Sequence, residues 1–194
     1  MDKILEWHHG AKSGFSRHYL TLYSITLGLE AKKVFEFGSG FSSITILEAL
    51  KKTGGKLITN DMRSIVDTGN SEQDLKDNPN WTYLQGKSLE VLKNEKTTGF
   101  DMVLHDGSHD VGVVYKDLRK IIPRMKKNGI ILVHDTFYKG FYLWIAIRLA
   151  LLFVRHERVT LPYGYGLTII RILSNYGHGS IETAWEKERK GKAI

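Results

Sequence analysis

From residue 33 onward the chain alternates between short runs rich in β-branched and aromatic residues and longer runs of helical period. The short runs are Lys33–Phe37, Lys56–Asn60, Trp81–Gln85, Phe100–His105 and Gly129–His134, and each reads as a strand. Segments near 42–52, 71–77, 88–95 and 110–122 lie between them and read as helices. Strands that are apolar along their whole length, alternating with helices, predict a parallel sheet covered on both faces. A helix over Phe15–Leu29 precedes the first strand, with Ser13 or Ser16 as its N-cap.

After the fifth strand the pattern changes. "FYLWIAIRLALLFV" (141–154) is the most apolar stretch, and it is followed by "RVTLP" and "GLTIIRI" joined through "YGYG". Two strands this close, with glycines between them, predict an antiparallel pair rather than another parallel unit. The fold expected is therefore α/β: a Rossmann-like doubly wound sheet of five parallel strands plus a terminal antiparallel pair, with helices on both faces. No repeat or linker interrupts it, so residues 1–194 read as one domain. Its parts are an N-terminal helical segment (1–30) that can serve as a lid, a core (31–136), the apolar helix with the strand pair (137–173), and a polar tail (174–194) with a short helix at 181–189.

Composition narrows the picture only slightly. The 194 residues are 42% hydrophobic and 25% charged, ordinary for a globular protein. There is no cysteine, so a metal would need carboxylate or imidazole ligands. That absence fits a reducing compartment, and the first fifteen residues lack the apolar core of a signal peptide; the expectation is a cytoplasmic protein. The net charge of +7 raises a nucleic-acid partner, but the lysines are spread rather than clustered with aromatics, and a solvated surface is the simpler reading. The 141–154 stretch contains Arg148 and falls short of the roughly 18 to 20 apolar residues that cross a bilayer. A buried helix or a homo-oligomer contact is the expectation there.

The first strand runs into "EFGSGFSS" (36–43). A glycine-rich turn between strand and helix lets backbone N–H groups approach a ligand, and the helix start favours negative charge. Gly38 and Gly40 leave room, and Ser42 and Ser43 add hydroxyls. The dinucleotide fingerprint G-x-G-x-x-G lacks its third glycine here. Glu36 would repel a pyrophosphate and suits a ligand with a cationic amino-acid end. The second strand ends at Asp61, where a carboxylate can accept hydrogen bonds from two ribose hydroxyls. These features describe a ligand with an amino group, a ribose and no phosphate. "GKS" (86–88) is not a phosphate loop, because Trp81 stands where that motif needs a glycine.

"VFEFGSG", Asp61, "YLQGKSLEVL", "FDMVLHDGSHDVGVVYKDL" and "PRMKKNGIILVHDT" resemble, in order, the motifs of class I S-adenosylmethionine-dependent methyltransferases. The likeness spans about residues 30–136 and is greatest to the small-molecule O-methyltransferase branch that includes catechol-type and macrolide-sugar enzymes. It implies that the amino-acid end of S-adenosylmethionine lies by Glu36, Gly38, Ser39, Gly40 and Ser43. The ribose would rest on Asp61 and the adenine by Gly86, Lys87 and Ser88, with Asp106 bordering the same crevice. Many members carry an acid at the Lys87 position, so that contact falls to backbone.

"LHDGSHD" (104–110) and "VHDT" (133–136) close the fourth and fifth strands, and strand ends of this kind share one crevice. Asp106, His109, His134 and Asp135 are the candidates for chemistry. Methyl transfer to a hydroxyl needs alignment and removal of a proton. Either a divalent cation such as Mg²⁺ on Asp106 and Asp135 lowers the hydroxyl's pKa, or His109 acts as base. Thr136 and Ser108 stand where metal-dependent relatives carry further ligands, which thins a metal site. Plainer roles compete: Asp106 as cap of the helix near 110, His105 as a packed or surface-facing residue, His134 as a structural hydrogen-bond partner, and His8 and His9 as solvated residues or part of a substrate lid. Gly107 argues against a zinc site from His105 and His109. Tyr138, Phe141, Tyr142 and Trp144 are candidates for an acceptor pocket or for core. The expectation is methyl transfer to an oxygen of a small molecule. Its rivals are a nucleic-acid methyltransferase, a non-catalytic domain of the same fold, and a nicotinamide oxidoreductase, which Glu36 disfavours.

Overall fold

A computed structural model describes residues 6, 14–65, 75–138, 140 and 142–174. Its seven-stranded sheet has the order β3-β2-β1-β4-β5-β7-β6. The strands are β1 (Lys33–Phe37), β2 (Lys56–Asp61), β3 (Trp81–Gln85), β4 (Phe100–His105), β5 (Met125–His134), β6 (Arg155–Leu161) and β7 (Leu167–Ser174). β1 to β5 are parallel, and β7 runs antiparallel between β5 and β6. The expected five-plus-two arrangement is the observed one. The helices are α1 (Tyr19–Gly28), α2 (Phe41–Thr53), α3 (Ser88–Asn94), α4 (Val111–Ile121) and α5 (Leu143–Ala150).

The strands read as apolar throughout because both faces of the sheet are covered. Successive residues point to opposite sides. Val34, Met102 and Leu132 pack with Leu22 of α1 and Ile46 and Leu50 of α2. Their neighbours Phe35, Val103 and Ile131 pack with Leu118 of α4 and Ile147 of α5. The change of direction at β1, where the order runs outward both ways, opens the crevice at the strands' carboxyl ends.

Three expected elements differ. A 3-10 turn, Gly14–His18, precedes α1, so Ser16 is buried within that turn and His18 takes the cap position. β5 begins at Met125, because Met125 pairs with Phe100 before the register shifts to Met102–Ile130. The apolar 141–154 stretch forms only the eight-residue α5: Leu143, Ala146, Ile147 and Ala150 complete one buried stripe. Leu152 and Phe153 beyond it are 66% and 76% exposed, which is why the apolar run outlasts the helix. No helix among the described residues is long and apolar enough to cross a membrane. Within the expected 71–77 helix, Leu75–Asp77 form a turn; 71–74, the 181–189 helix, Ser13, His8, His9 and Phe141 lie outside the described residues.

Candidate active site

The glycine loop is built by contact between backbones. Gly38 has φ +84, and a Cβ there would lie 2.7 Å from the carbonyl oxygen of Asp106. Its N–H bonds to Asn60 O at 2.8 Å, while Asp106 N–H bonds to Phe37 O at 2.9 Å. Only glycine fits that closeness, and the loop after β4 is thereby held against the loop after β1. Glu36 sits beneath, fully buried. Its two oxygens accept hydroxyl hydrogen bonds from Ser42 and Ser43, both at 2.6 Å, and from Thr59 at 2.8 Å. Burial pushes this carboxyl up to about 7, against the three hydroxyls that favour its charge.

Asp61 ties the second strand to the loop. Its Oδ2 accepts from Ser39 N–H at 2.9 Å and from Ser39 Oγ at 3.1 Å. Arg63 grips both oxygens, at 2.8 Å on Oδ2 and 3.2 Å on Oδ1, and also donates to Ser39 O. Burial works to raise the Asp61 carboxyl, but the Arg63 bonds outweigh it and hold it below the ordinary carboxylate range.

A groove of about 490 Å³ runs from this point across the sheet edge, lined among others by Gly38, Asp61, Lys87, Ser88, Gly107 and Asp117. Of the residues expected to bind cofactor, Gly38, Asp61, Lys87 and Ser88 therefore line one cavity, whereas Glu36, Ser39, Gly40, Ser43, Gly86 and Asp106 do not line it. Glu36 works from below, through Ser42 and Ser43. Asp117 was not legible as a site residue. It is buried on α4, accepts from Ser88 Oγ at 2.7 Å, and pairs with His105 Nε2 at 3.1 Å. His105 is thus a packed residue, its ring against that of Phe37.

Beside the groove, the ends of β4 and β5 bring four candidates together. His109 Nε2 lies 2.5 Å from Asp135 Oδ2. His134 Nδ1 lies 2.9 Å from Asp106 Oδ1 and 3.2 Å from Asp135 Oδ1. His134 Nε2 is 2.9 Å from Gly164 O, a pure acceptor, so that nitrogen donates. Burial opposes charge on His134, but the two carboxylates override it and raise its pKa to about 9, making it an imidazolium at neutral pH. Burial likewise works to raise Asp135, and the two histidines hold it below the ordinary range. An ionised Asp135 only accepts, so His109 donates through Nε2, and in the neutral tautomer that results Nδ1 is the acceptor. Asp106 does not cap α4; Asp110 does, accepting from Val113 N–H at 2.8 Å.

The backbone that presents Asp135 is unusual. It has φ +55, a left-handed conformation that aspartate tolerates better than most residues. The chain turns there onto the β6–β7 connection, with Phe137 N–H bonded to Tyr165 O at 2.7 Å. Gly164, in that connection, has φ +53, and a Cβ would lie 2.0 Å from Gly14 O. The 3-10 turn packs against it. His18 Nε2 reaches Tyr163 O at 2.8 Å, and the rings of Phe15 and His18 lie 4.6 and 5.4 Å from that of His134. Burial lowers the pKa of His18. Tyr138 stacks on His109 at 4.3 Å and meets Tyr165 edge-on. Of the aromatic candidates, Tyr138 joins the cluster, Tyr142 is exposed, and Trp144 lies with α5.

Residues 35–136 match the model of a family described as "Methyltransferase domain". No curated protein matches the chain by sequence. Among solved structures, the chain is similar to a methyltransferase of Podospora anserina bound to S-adenosylhomocysteine, at 16% identity and a TM-score of 0.66, over 89% of this chain and 95% of that one. It is also similar to an O-methyltransferase of Bacillus cereus in complex with S-adenosylhomocysteine, at 16% identity and a TM-score of 0.64, over 88% of this chain and 89% of that one. At such identity the likeness carries the fold. The family match is the stronger finding, since it takes in the glycine loop, Asp61 and all four residues of the histidine–aspartate cluster: the chain belongs to the methyltransferase-domain family.

Proposed function

We propose that the protein transfers the methyl group of S-adenosylmethionine to an oxygen of a small molecule, with His109 as the base. The observation that carries this reading is the His109–Asp135 pair: His109 directly follows Gly107 and Ser108, which line a groove whose residues suit a nucleoside. Bound in that groove, S-adenosylmethionine supplies an electrophilic methyl group on a sulfonium. Gly38 and Gly107, packed backbone to backbone, form the floor of the groove, Asp61 receives the ribose hydroxyls, and Lys87 and Ser88 border the adenine. His109 Nδ1 takes the acceptor's proton as the C–O bond forms and the C–S bond breaks. Asp135 holds the imidazole in the tautomer this requires and stabilises the charge it gains. Phe15, Tyr138 and Tyr165 give the acceptor an aromatic surround.

The cluster also fits a divalent cation. Asp106, His134 and Asp135 each offer a ligand atom, all within 4.8 Å of one another; Asp135 Oδ1, buried and 3.2 Å from His134 Nδ1, makes no hydrogen bond among the described residues. His134 donates Nε2–H to a carbonyl, the usual support of a metal-binding imidazole, so its Nδ1 would be the ligand. A cation there would lower the pKa of the acceptor hydroxyl. A proton competes with a cation for the same Nδ1, whose pKa the two carboxylates raise to about 9. The proposed reaction takes the route without a cation, because Thr136 and Ser108 stand where metal-dependent relatives carry further ligands; the imidazolium then supplies the positive charge of the site.

Calorimetry with S-adenosylhomocysteine, NAD and ATP, followed by labelled methyl transfer to a panel of hydroxylated small molecules and to nucleic acid, tests the proposal. The expected result is binding of S-adenosylhomocysteine far tighter than of the other two, and label in a small acceptor. Equal or tighter NAD binding would overturn it.

A further inference from the structure

A second cavity, of about 210 Å³, shares no residue with the groove described above. It is lined by Thr136 and Phe137, by Trp144, Ile147 and Arg148 of α5, by Arg158 and Thr160 of β6, and by Thr168 of β7. Two of these residues are cations, and among the described residues neither guanidinium has an ion pair or a hydrogen bond. Arg148 rests over the Trp144 ring at 5.3 Å. The acid beside Arg158 in sequence, Glu157, is engaged by Arg171 at 3.2 Å.

The hydroxyls of the cavity are spoken for. Thr136 Oγ1 donates to Val133 O at 3.1 Å, so Thr168 donates to Thr136 at 2.8 Å and Thr160 to Thr168 at 2.9 Å. Every hydroxyl proton in this chain points inward, and Thr136 and Thr168 are each only 2% exposed. The donors left for a guest are the guanidinium N–H groups. Two cations facing one hollow repel each other, and a planar guanidinium pairs with an oxyanion through two parallel hydrogen bonds. The Trp144 ring lies 5.3 Å beneath one of them, Arg148.

We propose that this cavity binds a small oxyanion, a carboxylate or a phosphate group, clamped between Arg148 and Arg158. Thr136 and Phe137 follow Asp135 directly, so a bound anion ties α5 and β6 to the segment that carries the catalytic carboxylate. The site is independent of the methyl-transfer reading.

The test titrates the full chain calorimetrically with sodium phosphate and, separately, sodium acetate, with sodium chloride at matched ionic strength as control. Saturable binding of phosphate or acetate is expected, and which of the two saturates identifies the group. Arg148→Gln and Arg158→Gln should each weaken it about tenfold or more. Their melting temperatures, and their affinity for S-adenosylhomocysteine, should match the parent chain's. Binding that chloride reproduces, or that both variants retain, would mean an adventitious ion only and would overturn the proposal; so would the absence of saturable binding.

Discussion

His109 Nε2 and Asp135 Oδ2 lie 2.5 Å apart across the ends of β4 and β5, joining two loops that are 26 residues apart in the chain. Among the described residues this leaves Nδ1 of the imidazole without a hydrogen bond. In His109→Ala the rate of methyl transfer should fall by roughly 10² to 10⁴, the contribution typical of a positioned base. Affinity for S-adenosylhomocysteine should stay the same, since His109 does not line the groove. A variant with near-full rate would remove His109 from the reaction.

Chelation separates the two ways of activating the acceptor. With Thr136 and Ser108 thinning a metal site on Asp106 and Asp135, turnover should survive EDTA, and added Mg²⁺ should change it little. Activity abolished by chelator and restored by Mg²⁺ would show that the cation displaces the proton.

His134 also makes a stability prediction with a definite sign. Its folded pKa, about 9, lies above the ordinary value of 6.5, so the folded state binds the proton more tightly. The stabilisation is complete below pH 6.5 and is lost as pH rises through 9. It amounts to about 3 kcal/mol at most. Urea unfolding of the parent and His134→Gln at pH 6 and pH 9.5 should show a difference that shrinks at the higher pH. A constant difference would mean that the imidazolium is not what the two carboxylates hold.

Glu36 shifts stability with pH in the same direction, over a lower range. Its folded pKa is raised to about 7 from 4.5, so ionisation costs stability as pH climbs from 4.5 to 7, by about 3 kcal/mol in full. Glu36→Gln keeps the shape and cannot ionise. The parent should therefore lose stability relative to Glu36→Gln between pH 5 and pH 8, read from paired denaturant curves. Parallel curves would show that Ser42, Ser43 and Thr59 offset the burial completely.

Asp61→Ala should weaken cofactor binding by roughly 1.5 to 3 kcal/mol, the range for hydrogen bonds to a charged group. The same change releases Arg63 and Ser39 from the loop. Affinity within a factor of two of the parent would place the ribose elsewhere.

The strands were legible because their signals are local. β1, β3 and β4 begin and end where the apolar runs do, each bounded by a polar or glycine residue. The same local logic put Gly38, Asp61, Asp106, His109, His134 and Asp135 at strand ends, and parallel strand ends share one crevice. What stayed hidden depends on partners remote in sequence. His18 reads as one more residue of an N-terminal helix, yet its ring meets Tyr163 O across 145 positions and packs beside His134. Gly164 reads as a turn residue, and only the docking of Gly14 against it explains why it has no side chain. Asp117 reads as a solvated helix position, and only the packing of α4 beside β4 and α3 buries it against His105 and Ser88. The sequence by itself determined the sheet and the placement of the chemical groups at one edge, because periodicity and turn chemistry act over a few residues. Tertiary structure decided the hydrogen-bond partners, and with them the charge of His134 and the free nitrogen of His109, because desolvation and pairing exist only once distant segments meet.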